Sequence, residues 1–215
     1  MVSRLPYLNI NSMKRKITLI LISILTVSVC FAQSDDDRWI NLGFINTTMS
    51  QDGLPDLKSN YGASFTVGRT FYLHRPIGGF LRFGIDATWF DINYTNYDIK
   101  HIAYWGTEEY QYHQGEISMH VGPSITLTPV KQFNINGYFR YAPSFSAMYM
   151  NDTFYGNYAT FFVGGAYISY GVFGIGIEKR FGDCEYKELW SDSEDAVVPS
   201  KISYNGWKAY ITFRF

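Results

Sequence analysis

The sequence predicts an all-β fold: an eight-stranded antiparallel up-and-down transmembrane β-barrel, preceded by a cleaved signal peptide. Three observations predict it. After residue 33, apolar and polar residues alternate with period two, and no helical period is sustained. The connections between the alternating runs are short and long by turns. The last run, Trp207-Lys208-Ala209-Tyr210-Ile211-Thr212-Phe213-Arg214-Phe215, ends on an aromatic in mid-strand. A barrel in lipid gives such a strand a place, because its last strand must pair with its first and leave no open edge.

Residues 1–32 are expected to be a secretory leader. Met13-Lys14-Arg15-Lys16 is a cationic segment with its own candidate start, and residues 17–29 are apolar. Cys30-Phe31-Ala32 places small residues where a signal peptidase would read them, with cleavage before Gln33. The apolar run is shorter than the ~20 residues of a spanning helix. A lipoprotein reading of Cys30 is disfavoured by the branched Val29 before it. Residues 33–37 then form a short acidic linker, and 38–215 a single barrel domain.

The whole chain carries 18 Lys and Arg against 19 Asp and Glu. Arg4, Lys14, Arg15 and Lys16 leave with the leader, so 14 bases remain against 19 acids, a formal charge of −5. That balance argues against a nucleic-acid partner and against a polybasic lipid anchor. Cys184 is the one cysteine after cleavage, so the fold has no internal disulfide.

The elements follow in order. Residues 38–49 form a first, irregular strand. Ala63, Phe65, Val67 and Phe71 oppose Ser64, Thr66, Gly68 and Thr70 on the second. Leu81, Phe83, Ile85, Ala87 and Trp89 oppose Arg82, Gly84, Asp86 and Thr88 on the third. On the fourth, Ile117, Met119, Val121, Pro123, Ile125 and Leu127 oppose Glu116, Ser118, His120, Gly122, Ser124 and Thr126. On the fifth, Phe133, Ile135, Gly137, Phe139 and Tyr141 oppose Asn134, Asn136, Tyr138 and Arg140. The sixth, 158–170, reads as slipping in phase, with a bulge expected near Gly164-Gly165. On the seventh, Phe173, Ile175, Ile177 and Phe181 oppose Gly174, Gly176, Glu178 and Arg180, and the closing run is the eighth. Each strand is expected to hold about ten residues. Connections 74–79, 128–132 and 170–172 are tight; 50–60, 94–114, 150–157 and 183–203 are long or polar.

The charged face decides the solvent. It carries Arg82, Asp86, Glu116, His120, Arg140, Glu178, Arg180, Lys208 and Arg214. A water-soluble barrel would have to bury that set in an apolar centre, at large cost. Turned over, the same set lines a polar lumen and the apolar face meets lipid. Arg69 and Lys179 fall on the apolar side, where placement near strand ends would let them snorkel. Trp39, Tyr61, Tyr72, Trp89, Tyr94, Tyr158, Tyr170, Tyr204 and Trp207 read as interfacial girdles.

With its leader, its alternation and its Phe213-x-Phe215 ending, the chain resembles the small eight-stranded outer-membrane barrels of the OmpA/OmpX type. It is more closely similar to the outer membrane protein beta-barrel domain proteins of Bacteroidetes-type bacteria. The resemblance covers residues 38–215. It implies residence in a Gram-negative outer membrane, with both barrel termini periplasmic. It also implies that Phe213 and Phe215, with Tyr210 as a weaker companion, are read by the outer-membrane assembly machinery.

A lumen of eight strands is just wide enough for side chains to fill. Asp86, His120, Arg140 and Glu178 are expected to form one mid-depth cluster within the network of Arg82, Glu116, Arg180 and Arg214. The segment 94–114 is dense in aromatics, and Tyr97, Tyr104, Trp105, Tyr110 and Tyr112 are candidate contacts for an extracellular partner. The acidic run Asp183, Glu185, Glu188, Asp192, Glu194 and Asp195 lacks the spacing of a calcium loop. The expected role is envelope structure or surface interaction, in a monomer, with no catalytic residue, metal or cofactor. The partners are outer-membrane lipid and lipopolysaccharide. Two alternatives stand beside it: a narrow ion or solute channel, and a lipid A-modifying enzyme using His101, His113, Glu116 and Ser118.

Overall fold

The computed structural model describes residues 37–103, 106–150, 153–189 and 201–215, with the backbone alone for 99–110. The leader, Tyr104, Trp105, the side chain of Tyr110, and Asp192, Glu194 and Asp195 lie outside the described residues. Eight long strands make up the described part: β1 Asp37–Ser50, β2 Tyr61–Tyr72, β3 Leu81–Ala103, β4 Gly106–Val130, β5 Phe133–Met150, β6 Thr153–Tyr170, β7 Phe173–Glu185 and β8 Lys201–Arg214. Each pairs antiparallel with the next, and β8 pairs back onto β1 from Trp39↔Arg214 to Ser50↔Ser203. The sheet is therefore closed and the last strand covers the edge of the first.

Side chains alternate across this wall with inverted polarity. Ile117 and Ile211 are exposed on the outside at 53% and 52%, while their strand neighbours Glu116 and Thr212 are buried within. The apolar face thus points away from the barrel on every long strand, as it must when the outer solvent is lipid. Tyr61, Trp89, Tyr94, Tyr158, Tyr170 and Trp207 stand on the outside, but three residues expected in the girdles do not. Trp39 and Tyr204 are buried in the lumen, and Tyr72 is half-buried with its hydroxyl on Asp37. Lys179, expected near a strand end, lies mid-way along β7 with its ammonium 4.6 Å from the centre of the Trp207 ring.

Two expectations about the chain path need correcting. The strands run from 12 to 25 residues, longer than a bare membrane crossing. The described residues of 94–114 and 150–157, expected as loops, are ribbon: β3 and β4 pair from Leu81↔Leu127 up to Ala103↔Gly106, and β5 and β6 up to Met150↔Thr153. Polar composition misled the reading, because main-chain groups in these segments are satisfied by the facing strand rather than by water. The β3–β4 ribbon outgrows its neighbours, since β2 reaches only Asn96 and β5 only His113.

The second correction concerns the bulge. Pairing on both sides of Gly164-Gly165 is continuous, and β6 keeps its phase. The missing side chains had imitated a slip. Irregularities sit instead between Leu127 and Val130 beside the β4–β5 turn, and on β3, where Trp89 and Phe90 together oppose Met119 of β4 and both side chains point outward. Beyond the β3 bulge the inward phase of that strand changes from even to odd residues, so Asp91, Asn93 and Thr95 face the lumen.

Short pieces close the long-loop end. Leu57–Lys58 pairs with Thr48–Met49, and Lys187–Glu188 pairs with Tyr155–Gly156. The second of these carries Tyr186 into the mouth of the barrel, where it is buried.

Candidate functional site: the charged lumen

The lumen holds a ladder of opposite charges from one end to the other. At the short-turn end, Arg214 lies 3.4 Å from Asp37 and donates to the Thr70 hydroxyl at 3.1 Å. Tyr72 donates to the same Asp37 carboxylate at 2.7 Å. Thr70 in turn donates to Asp86 at 2.7 Å, which links this layer to the next.

Asp86 accepts a 2.7 Å bond from Arg140. The Arg140 guanidinium lies 3.6 Å from the Tyr138 ring centre and 4.9 Å from that of Trp39, and 3.9 Å from Glu178. Stacking of this kind suits arginine, whose planar, weakly hydrated cation tolerates desolvation better than an ammonium. Glu178 accepts from Tyr138 at 2.9 Å and from Lys208 at 2.9 Å.

Lys208 also reaches Asp91 at 3.3 Å. Asp91 is bonded from several sides, with Thr66 at 2.5 Å, Asn93 at 2.6 Å, Ser118 at 3.3 Å and His120 at 3.4 Å. Above it Arg180 pairs with Glu116, lies 3.9 Å from Asp91 and donates to Ser144 at 3.2 Å. A polar cap follows. Gln114 accepts from Thr95 and Tyr97 and donates to Ser146 and Tyr186, and the Tyr186 hydroxyl meets that of Tyr204 at 2.5 Å.

Between the Lys208 layer and this cap lies a cavity of about 30 Å³, lined among others by Glu116, Arg180, Lys208 and Tyr204. That is room for about two water molecules. The described lumen thus sets Asp37, Asp86, Asp91, Glu116 and Glu178 against Arg140, Arg180, Lys208 and Arg214, with His120 beside them.

No family model and no curated protein matches this chain. Among solved structures it is similar to the attachment invasion locus protein Ail of Yersinia pestis, at 10% identity over 85% of this chain and 100% of that one, with a TM-score of 0.42. It is similar to Neisserial surface protein A at 12% identity, over 83% and 97%, with a TM-score of 0.49. The outer membrane protease OmpT of Escherichia coli follows at 10% identity, over 84% and 96%, with a TM-score of 0.47. The barrel itself stands on its own closed strand pairing, and any activity has to be sought in this chain's own side chains.

Those side chains sort differently from the sequence expectation. Asp86, Arg140 and Glu178 do meet, but His120 belongs to the Asp91 layer above them. The bulge is the reason, because it turns Asp91 inward at the depth of His120. Arg82 stands at the edge of the network: it is half-buried, 3.7 Å from the centre of the ring of Tyr72, whose hydroxyl bonds to Asp37. Tyr97, a candidate for outside contacts, is fully buried and donates to Gln114 at 3.1 Å. Tyr112 is half-buried against the same cluster. Tyr210 faces the lumen with its hydroxyl 3.0 Å from that of Tyr138, on the opposite side of the strand from Phe213. Phe213 lies edge-on to Phe173, ring centres 5.4 Å apart.

The residues weighed for lipid A chemistry do not converge. His113 bonds to Tyr94 at 2.8 Å on the outer surface, while Glu116 and Ser118 point into the lumen. The side chain of His101 is outside the described residues. Ser118, His120 and Asp91 do cluster, but Ser118 and Asp91 both lie against the same ring nitrogen, Nε2. A nucleophile relay needs them on opposite nitrogens, with an open side for substrate. All three are buried. Among the described residues no group of three His, Cys, Asp or Glu is arranged to hold a metal ion. Cys184 is 1% exposed at the top of β7.

Sequence reading missed Asp91 and Trp39. A signal for Asp91 existed: an acid in the apolar phase of a lipid-facing strand, directly after two adjacent aromatics, marks a change of phase. Trp39 gave none, because tryptophan suits both a girdle and a cation stack.

Proposed function

We propose that this chain is an integral outer-membrane barrel with a closed lumen, whose work is done by its wall and its exposed end. One observation carries this reading: an ion-paired ladder from Asp37 to Glu116 runs through the described interior, with a cavity of about 30 Å³ beside its upper layers. The ladder supports a lumen occupied by side chains rather than an open pore. Burying so many charges is tolerable only when each is paired and hydrogen-bonded, so the ladder serves to lock the eight strands in register.

The inverted polarity of the wall supports lipid as the outer solvent, and the outer membrane is where closed barrels of this kind reside. Short turns and both ends of the barrel lie together, which supports a periplasmic assignment for that end. The β3–β4 ribbon then stands on the cell surface and is the element for contact with an extracellular partner or lipopolysaccharide. Phe213 and Phe215 fit the role of an assembly signal.

Envelope fractionation and thiol labelling test this. The chain should sediment with outer membrane and migrate on gels as a faster band until boiled. Asp52→Cys should react with an impermeant maleimide on intact cells, and Arg75→Cys only after permeabilisation. Recovery of the protein in a detergent-free soluble fraction sinks the reading, and the reverse labelling pattern inverts the orientation.

A further inference from the structure

The outer wall carries a cluster of rings where its apolar band gives way to the polar long-loop end. Tyr61 of β2, Tyr94 of β3 and His113 of β4 are diagonal neighbours across three adjacent strands. The Tyr61 and Tyr94 ring centres are 6.3 Å apart. The Tyr94 and His113 rings stack at 6.1 Å, with 21° between their planes. Both tyrosines are exposed. Below them on the same strands lie Phe65, Ile92 and Ile117, exposed on the lipid side. Above them come Asp56, Lys58 and Asp98, also exposed. The rings therefore stand at the level where hydrocarbon ends and headgroups begin.

A girdle aromatic needs only to sit at that depth, but these rings are also fixed in place. The Tyr94 hydroxyl meets His113 Nδ1 at 2.8 Å, and the Asn96 amide nitrogen reaches the same atom at 3.4 Å. An amide nitrogen can only donate, so Nδ1 is the acceptor and the ring proton sits on Nε2. Nε2 makes no hydrogen bond to the described residues. Asn96 is only 3% exposed, and its carboxamide oxygen accepts from Asn60 at 3.2 Å. The wall is low on either side of Tyr94, whose cross-strand partners are Ala63 and Gly115. A Cβ built on Gly115 would meet nothing within 4 Å, so the space over that position is open. The result is a shelf with ring faces, an open floor and a polar edge.

We propose that this shelf binds the neutral pyranose headgroup of a glycolipid in the leaflet at the long-loop end. A sugar ring presents an apolar C–H face and a rim of hydroxyls. That combination suits aromatic faces bordered by hydrogen-bonding groups. The acyl chains of the same molecule then run down the wall over Phe65, Ile92 and Ile117, and this continuity favours a glycolipid over a free saccharide. Asp56 and Asp98 outnumber Lys58 above the rings, which disfavours a phosphate as the group selected. The inference rests on the reading of the wall as lipid-facing. With the long-loop end on the cell surface, the site serves the outer leaflet.

The test uses the full mature chain in an oligo-oxyethylene detergent, which carries no sugar, with native mass spectrometry of lipid adducts as readout. Monogalactosyl diacylglycerol should be retained in preference to phosphatidylglycerol with the same acyl chains. Tyr94→Leu should bind it about tenfold more weakly. Gly115→Ile, which fills the open floor, should weaken it similarly. Trp207→Leu, at another exposed aromatic of the wall, should bind it as the wild type does. Equal retention of the two lipids overturns the proposal, as does a preference for phosphatidylglycerol. Unchanged binding by Gly115→Ile overturns it too, and an equal loss in Trp207→Leu does so by assigning retention to wall aromatics in general. Displacement of the lipid by an equal concentration of methyl galactoside also overturns it, and assigns the shelf to a free saccharide. If Tyr94→Leu loses its heat-modifiable band, Gly115→Ile carries the same comparison. Failure of the membrane reading shows separately, as a wild type that needs no detergent.

Discussion

Arg140 shows what a single residue does in this barrel. Its guanidinium is buried between the rings of Tyr138 and Trp39, and Asp86 is the carboxylate it bonds, at 2.7 Å. Trp39 comes so close to the wall that a Cβ on Gly68 would stand 2.2 Å from its Cζ2, so that position has to be glycine. Replacing Asp86 by Ala leaves a buried cation with Glu178 at 3.9 Å as its remaining carboxylate neighbour. The expected loss is about 3–5 kcal/mol, the cost of orphaning a buried charge. Urea titration of the folded barrel in lipid vesicles measures it. A loss under about 1 kcal/mol, the scale of a surface ion pair, means the ladder does not hold the fold.

At the scale of the element, β3 makes its own forecast. Trp89 and Phe90 together face Met119, so one of the two is extra to the ladder. Deleting Phe90 restores simple alternation while leaving Thr88 and Asp91 inward. That variant should fold and keep its heat-modifiable band. Deleting Ile92 instead turns Asn93 and Thr95 toward lipid and Tyr94 inward, since a one-residue slip reverses every later side chain. That variant should not form a barrel. If both deletions behave alike on the gel, the bulge is misplaced. The β3–β4 ribbon is independent of this outcome, because its upper pairing from Tyr97↔Tyr112 to Ala103↔Gly106 is made within the hairpin.

At the scale of the whole molecule, the proposed side-chain-filled lumen predicts electrical silence. Reconstituted in planar bilayers, the purified barrel should give no stable conductance steps, because the Gln114–Tyr186–Tyr204 cap lies over the ion ladder. Sustained steps in the wild type would restore the narrow-channel alternative. The same cap covers the Ser118–His120–Asp91 cluster, so hydrolysis at that cluster is not expected either.

The amino-acid order by itself determined which residues face which solvent. Period two is a local property, and one strand read alone shows that Ile117 and Glu116 must part. The polar lumen and the lipid-facing wall follow from it, and the alternation of short and long connections added the strand number and the antiparallel order. Tertiary structure decided which charges meet. Depth in a barrel is a sum of registers over several strand pairs, so one extra residue at Trp89-Phe90 moved Asp91 inward and His120 to a different partner. It also decided that polar, aromatic 94–103 and 106–114 are paired ribbon, since hydrogen bonds across a hairpin leave no trace in composition.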